Sequence, residues 1–288
     1  MLLNKKKTPE EWHEQELKII EDYRPIDDEF MRELFRNDIP LTQYVLRVIT
    51  GIEDLEIISQ ETQYDLNHLV GLRSVRLDVV ATGNEGEKMN LEVQRSDSGA
   101  APQRARYHSS AIDVEFLKQK AEFTELPISY VIFITENDVI GDNKLIYKFD
   151  RLDTETGKPL KDGTHIIFVN SAYDNPRDTS ELAKLAHDFC CKNADDMLTK
   201  PLADKTRYLK NSPEGVTSMS KAMEDFKNEV AREAAREAAI ETARNEKIQF
   251  AINLLKDGSM SNEKISQLTG LSIEDVQAIE NLYHLKTA

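Results

Sequence analysis

Three short stretches carry side chains able to act together: Leu77-Asp78-Val79, Asn90-Leu91-Glu92-Val93-Gln94, and Arg104-Ala105-Arg106-Tyr107-His108-Ser109-Ser110. The first two sit in segments with strand character, Arg73–Ala81 and Met89–Gln94, joined by the polar linker Thr82–Lys88 as a hairpin. Side chains on a strand alternate faces, so Glu92 and Gln94 share one face while Leu91 and Val93 turn to the core. Asp78 lies between Leu77 and Val79, both expected to be buried, which sends it to the side of Arg76 and Val80. A simple hairpin register then makes Asp78 and Glu92 cross-strand neighbours. Like charges facing across a ladder repel, and a divalent cation removes the repulsion. Mg²⁺ takes hard oxygen ligands, one or two of them carboxylates, with waters and phosphate oxygens completing its shell. Such an ion polarises a phosphate and lowers the pKa of a water, the two requirements of phosphodiester hydrolysis.

The elements around the hairpin must position these groups. Residues 9–37 read as helical, with Leu17, Ile20, Phe30, Leu34 and Phe35 at mixed three-and-four spacing. A second helix is expected at Leu41–Thr50, closed by Gly51, whereas Leu55–Asn67 gives no clear signal. After the loop Asp97-Ser98-Gly99 a helix is expected over about Pro102–Glu122. Strands follow at Ser129–Thr135 (apolar throughout and therefore central), Lys144–Asp150 and His165–Asn170. A helix capped by Ser180 runs to about Asn193. The Asp, Pro and Gly residues of 195–215 mark a boundary, placing one domain at 1–200 and a helical extension at 201–288. That extension reads as one long helix, Val216–Lys256, and a small end unit of two short helices around Thr269-Gly270, the second capped by Ser272.

The 288 residues carry 37 Lys and Arg against 52 Asp and Glu, a net charge of −15. That balance excludes a protein that coats DNA or an anionic membrane, since both need a positive field. The acid is not evenly spread. Residues 1–204 hold 25 basic and 39 acidic side chains, whereas 73–106, the window of the three stretches, holds six basic and five acidic. Local, metal-assisted and salt-sensitive engagement of DNA therefore stays open. No run is long and apolar enough for a membrane helix, and the Lys5-Lys6-Lys7 start lacks the apolar stretch of a secretory signal. Cys190 and Cys191 are adjacent, poorly placed to bridge each other, and expected to be buried thiols in a reducing cytoplasm. The six histidines show no zinc spacing.

With those residues in order, the chain resembles the PD-(D/E)XK nuclease superfamily in its D…ExQ form. More narrowly it is similar to the Rpn family of recombination-promoting nucleases, over about residues 25–175. Asp27…Phe30…Leu34-Phe35 resembles that family's opening motif, and the stretches 251–256 and 265–272 resemble its usual end. The resemblance implies an α/β fold with a restriction-endonuclease-like core, a mixed sheet flanked by helices, and an α-helical C-terminal extension. It implies a metal-dependent DNA endonuclease associated with recombination or mobile elements. Asp78 and Glu92 would be ligands of Mg²⁺, or of Mn²⁺ in its place, with the Val93 carbonyl as a third. Gln94 stands where most of the superfamily has lysine, and glutamine can hydrogen-bond an attacking water without offsetting charge. Arg104 would meet a phosphate bidentately. Arg47 and His108 depart from the family's usual asparagine and tyrosine, and the first helix's acidic contribution is not assignable from sequence. "Transposase" in the family's naming implies no three-carboxylate integrase, since no third carboxylate stands at a spacing that demands one.

Plainer readings apply elsewhere. Arg106 reads as a solvated helix face and Tyr107 as packing rather than a stacking platform. The alanines at 231, 234, 235, 238, 239 and 243 read as a helix-pairing seam, which would let copies of the chain associate through the long helix. The last short helix begins with Glu274 and Asp275 and lacks the basic donors a recognition helix needs, so it reads as a packing or protein-contact element. The rival from another class is a degenerate nuclease fold that binds or assembles without cutting.

Overall fold

The structure, a computed structural model, describes residues 9–66 and 75–282. The lysines at 5–7, the first two residues of the strand expected from Arg73, and the end of the last helix lie outside that range.

Six strands form one sheet: β1 (Ile57–Leu66), β2 (Val75–Gly83), β3 (Lys88–Gln94), β4 (Ser129–Thr135), β5 (Ile146–Phe149) and β6 (Thr164–Asn170), in the order β1-β2-β3-β4-β6-β5. The first three make an antiparallel meander, β3, β4 and β6 run parallel, and β5 closes one edge antiparallel. The apolar run of β4 does lie inside the sheet, with every residue buried except Tyr130. The segment that gave no clear signal is β1. Its polar residues fit an edge strand that is exposed or half-buried along most of its length.

Helices cover both faces: α1 (Pro9–Asp22), α2 (Asp28–Phe35), α3 (Ile39–Thr50), α4 (Pro102–Phe116), α5 (Glu181–Cys190) and α6 (Lys200–Asn211). Val79, Leu91, Val93, Ile132, Ile134, Ile167 and Val169 form one face of the sheet. They share a core with Phe30, Leu34, Val45, Ile49, Phe189, Leu202 and Leu209 from α2, α3, α5 and α6. The opposite face, with Leu77, Val80, Val131, Phe133 and Phe168, packs on Ala105, Ala111 and Ile112 of α4. Gly51 ends α3 in the left-handed region, φ +79, where its N–H caps the Arg47 carbonyl.

Three boundaries differ from the sequence expectation. The helix expected over 9–37 is two helices, because Pro25 cannot continue α1 and disfavours helix at Arg24. Helix α4 stops at Phe116, six residues short of the expected end. The stretch 195–215, read as a boundary, contains α6, whose Leu202 and Leu209 enter the main core. The long helix α7 (Pro213–Asp257) adds Met219 and Met223 to that core. The chain divides into a compact unit through Met223 and another from Glu224.

In the second unit, α8 (Asn262–Thr269) and α9 (Ile273–Leu282) close on the end of α7 around Ala251, Ile252, Leu255, Ile265, Val276 and Ile279. Gly270 makes the turn at φ +70, and Ser272 Oγ accepts the Asp275 N–H at 3.0 Å. No helix among the described residues is long and apolar enough to cross a membrane.

Candidate functional site

The two carboxylates meet where the β2–β3 hairpin opens. Backbone pairing runs from Thr82 and Lys88 to Val79 and Leu91 and ends there. At the next level side chains take over the ladder. The Asp78 N–H donates to Glu92 Oε1 at 3.2 Å, and the Val93 N–H donates to Asp78 Oδ2 at 3.2 Å. The β1–β2 ladder skips the same level: Tyr64 pairs with Leu77 and Thr62 with Val79, while Gln63 between them takes φ +57. Alternation breaks at this point, because Leu77 and Val80 pack on the α4 side and Val79 on the other. Strict alternation therefore does not carry from Leu77 across Asp78 to Val79, whereas the closeness of Asp78 to Glu92 does not depend on it.

Glu92 is fully buried and surrounded by donors. Besides the Asp78 N–H, Asn90 Nδ2 reaches Oε1 at 3.1 Å and Arg104 Nη2 reaches Oε2 at 3.1 Å. His108 Nδ1 lies 3.5 Å from Oε1. Arg104 Nε reaches His108 Nε2 at 3.3 Å, and Asn90 Nδ2 lies 3.3 Å from His108 Nδ1, so the imidazole is held between the two side chains. The third donor of Arg104, Nη1, takes the Gly99 carbonyl at 3.0 Å. All three guanidinium nitrogens are thus engaged within the protein, and Arg104 is turned onto Glu92 rather than outward. Gln94 is half-buried against Gly99, whose missing Cβ would otherwise lie 2.2 Å from Gln94 Oε1. Arg106 is exposed, as expected for a solvated face.

One acid was missed. Asp28, in the first turn of α2, lines a cavity of about 330 Å³ together with Asp78, Val93, Gln94, Arg95, Ser96 and Arg104. Its signal in the sequence is the Asp27-Asp28 pair one residue after Arg24-Pro25, a break that turns both residues into a helix start. Asp27 itself points to the rim. Its carboxylate accepts the Arg24 N–H at 2.7 Å and pairs with Arg95 at 3.0 Å, while Arg24 and Arg95 both reach Glu136. Arg47 is remote in role, with Nε donating to the Leu55 carbonyl at 2.7 Å and tying α3 to the approach of β1. Cys190 and Cys191 are free, half-buried thiols, and burial pushes the Cys190 thiol up to about 11.

The electrostatics of the cavity are those of too many carboxylates for the cations present. Burial raises the Asp78 carboxyl well above the usual range, Glu92 and Asp28 push it further, and the Val93 N–H and Arg104 oppose the rise. Asp28 is raised too, first by burial, with Glu92 and Asp27 adding to it and Arg32 and Arg104 opposing. A cation would be accommodated on those terms. Among the described residues no three His, Cys, Asp or Glu side chains are placed to hold an ion by themselves. Asp78 and Asp28 nevertheless both line the cavity, with Glu92 bonded to the Asp78 N–H, and such carboxylates fit Mg²⁺, which takes its remaining ligands from water and phosphate.

A family model described as PD-(D/E)XK nuclease family transposase matches residues 41–249. The matched stretch includes Asp78, Glu92, Val93, Gln94 and Arg104 and leaves out Asp28. No curated protein and no solved structure matches the chain.

Proposed function

The chain belongs to the PD-(D/E)XK nuclease family transposases, whose α/β fold its mixed sheet and flanking helices share, and on that premise we propose that it is a Mg²⁺-dependent endonuclease acting on DNA phosphodiesters. The observation that carries the reading is the opened rung at which Asp78 and Glu92, both buried, face each other across the hairpin beside a polar cavity. Asp78 and Glu92 would hold the ion, with the Val93 carbonyl and Asp28 as further oxygens at the same cavity. Bound there, Mg²⁺ would polarise the scissile phosphate and lower the pKa of an attacking water. Gln94, fixed against Gly99, would accept from or donate to that water and orient it, since an amide does both. Arg104, once Glu92 is neutralised, would be released to grip a phosphate oxygen pair. Mn²⁺ would substitute for Mg²⁺ on the same oxygens. A role in recombination or mobile elements follows from the family's naming, and a cytoplasmic setting suits the two free thiols.

One observation favours the non-catalytic alternative: both oxygens of Glu92 are already satisfied by Arg104, Asn90 and Asp78, as in a retired site kept for its packing. Plasmid incubated with the purified chain and Mg²⁺ decides between them. Nicking or linearisation that disappears in Asp78→Ala and in Glu92→Ala supports the endonuclease. Cleavage surviving both substitutions refutes the site, and no cleavage by the parent with Mg²⁺ or Mn²⁺ favours the binding module. Association of copies through α7 is a separate proposal. It rests on the exposed alanines 231, 234, 235, 238, 239 and 243, and a monomer in light scattering would end it.

A further inference from the structure

Beside the carboxylate cavity lies a larger one, of about 510 Å³, within the range of ligand sites. Arg104 lines both cavities and so forms the wall between them. Its other walls include Val75 and Arg76 from β2, Ser98 from the loop after β3, and Gln103 and Tyr107 from α4. In a chain with 52 acidic residues, none of the described residues lining this cavity is acidic. The lining thus divides into two guanidinium groups, the His108 imidazole, amide and hydroxyl donors, and an apolar wall of Val75, Ala101 and the Tyr107 ring. Tyr107, expected to be packing, is 37% exposed. Arg76 pairs with Asp65 through Nε at 2.7 Å and Nη2 at 3.3 Å, but both side chains are about half exposed. Such a pair contributes little and yields readily to a competing anion.

We propose that this second cavity is a nucleotide subsite, which seats the nucleotide flanking the scissile bond with its phosphate toward Arg76 and its base on the Tyr107 ring. The inference rests on reading the Asp78–Glu92 site as one that cuts phosphodiesters, because a strand crossing that site must pass the Arg104 wall. Cation and aromatic face together are what sequence-tolerant single-strand binding uses: arginine tracks the backbone and a ring accepts any base. A base can reach Tyr107 only when it is unpaired, so the subsite also predicts a preference for frayed, nicked or single-stranded DNA over intact duplex.

The test separates base from phosphate. Thymidine 5′-monophosphate and deoxyribose 5-phosphate are titrated by calorimetry into the full chain in EDTA, which keeps the carboxylate site out of the measurement. The nucleotide is expected to bind about 5- to 150-fold more tightly than the sugar phosphate, the worth of one stacked base. Tyr107→Ala should erase that ratio and Tyr107→Phe should keep it, a contrast that a folding defect would not produce. Asp65→Asn, by removing the carboxylate charge paired with Arg76, should tighten both ligands. Equal binding of the two ligands by the parent, or an unchanged ratio in Tyr107→Ala, overturns the subsite. Plasmid cleavage is scored in parallel. A chain that binds the nucleotide selectively but never cuts would remove the endonuclease reading and leave the subsite standing, whereas one that cuts without base selectivity would do the reverse.

Discussion

Asp78 and Glu92 substitute for a missing rung of their own hairpin, the Asp78 N–H bonding the Glu92 carboxylate and the Asp78 carboxylate taking the next N–H along, that of Val93. Each acid is therefore both a charge the fold must tolerate and a brace that holds the strands at a fixed separation. Replacing Asp78 by asparagine keeps an oxygen for the Val93 N–H and deletes a buried charge next to another carboxylate. Asp78→Asn should raise the stability of the metal-free chain by about 1–2 kcal/mol, the scale on which relieved buried charges repay. It should also lower cleavage by about a hundredfold or more, since a lost ion forfeits several kcal/mol of charge stabilisation. Thermal midpoints and plasmid nicking, measured side by side, check the opposite signs.

The raised Asp78 carboxyl also gives a pH signature. Burial, Glu92 and Asp28 lift its folded pKa above that of the unfolded chain, so between the two values the folded state binds more protons. Stability of the metal-free parent should then fall as pH rises from about 4, the unfolded aspartate value, through the folded one. Denaturant midpoints of the parent minus those of Asp78→Asn isolate this contribution, and the difference should shrink toward acid. Saturating Mg²⁺ should reverse its sign, because an ion binds the deprotonated carboxylate. A difference curve that is flat with pH would mean the two carboxyls are not competing for one charge.

Gly99 offers a way to move Gln94 without changing it. A Cβ there would stand 2.2 Å from Gln94 Oε1 and 3.6 Å from Arg104 Nη1. The atom displaced is the end of a flexible side chain, so Gly99→Ala should fold with nearly the parent's thermal midpoint. If Gln94 orients the attacking water, a shift of about 1 Å should cost on the order of a hundredfold in kcat, with little change in KM. A parent-like rate in Gly99→Ala would remove Gln94 from the chemistry.

The sequence discloses this site unevenly, for physical reasons. Strand and hairpin positions were legible because β2, β3 and β4 bury apolar side chains at recognisable intervals, and Asp78 and Glu92 interrupt them. β1 was hidden because an edge strand owes its place to backbone pairing with β2 rather than to an apolar face of its own. The orientation of Asp78 was hidden because periodicity assumes an unbroken ladder, and here Gln63 at φ +57 and the opened hairpin break it on both sides. Asp28 was hidden because one helix over 9–37 leaves no helix start at residue 28. Arg104 was found as a residue but not in its present role, since a guanidinium bonds a carboxylate as readily as a phosphate and spacing cannot tell which is nearer.

That last ambiguity yields the most informative substitution. In the metal-free chain Arg104 is, among the described residues, the one guanidinium bonded to a fully buried Glu92, and truncating it leaves that carboxylate with neutral donors and a histidine. Removing one partner of a buried pair costs about 3–5 kcal/mol when both are enclosed. Arg104 is 37% exposed, so water offsets part of the loss and Arg104→Ala should destabilise by about 2–3 kcal/mol. An ion entering the same cavity supplies the missing positive charge. Mg²⁺ should therefore raise the thermal midpoint of Arg104→Ala more than that of the parent, and calorimetry should show tighter Mg²⁺ binding by the variant, because no guanidinium has to be displaced. Cleavage should still fall, since the phosphate contact is gone. The combination of weaker fold, tighter ion and slower cutting is specific to an arginine that exchanges places with the metal. Mg²⁺ affinity unchanged by Arg104→Ala would show instead that the ion and the guanidinium do not share Glu92.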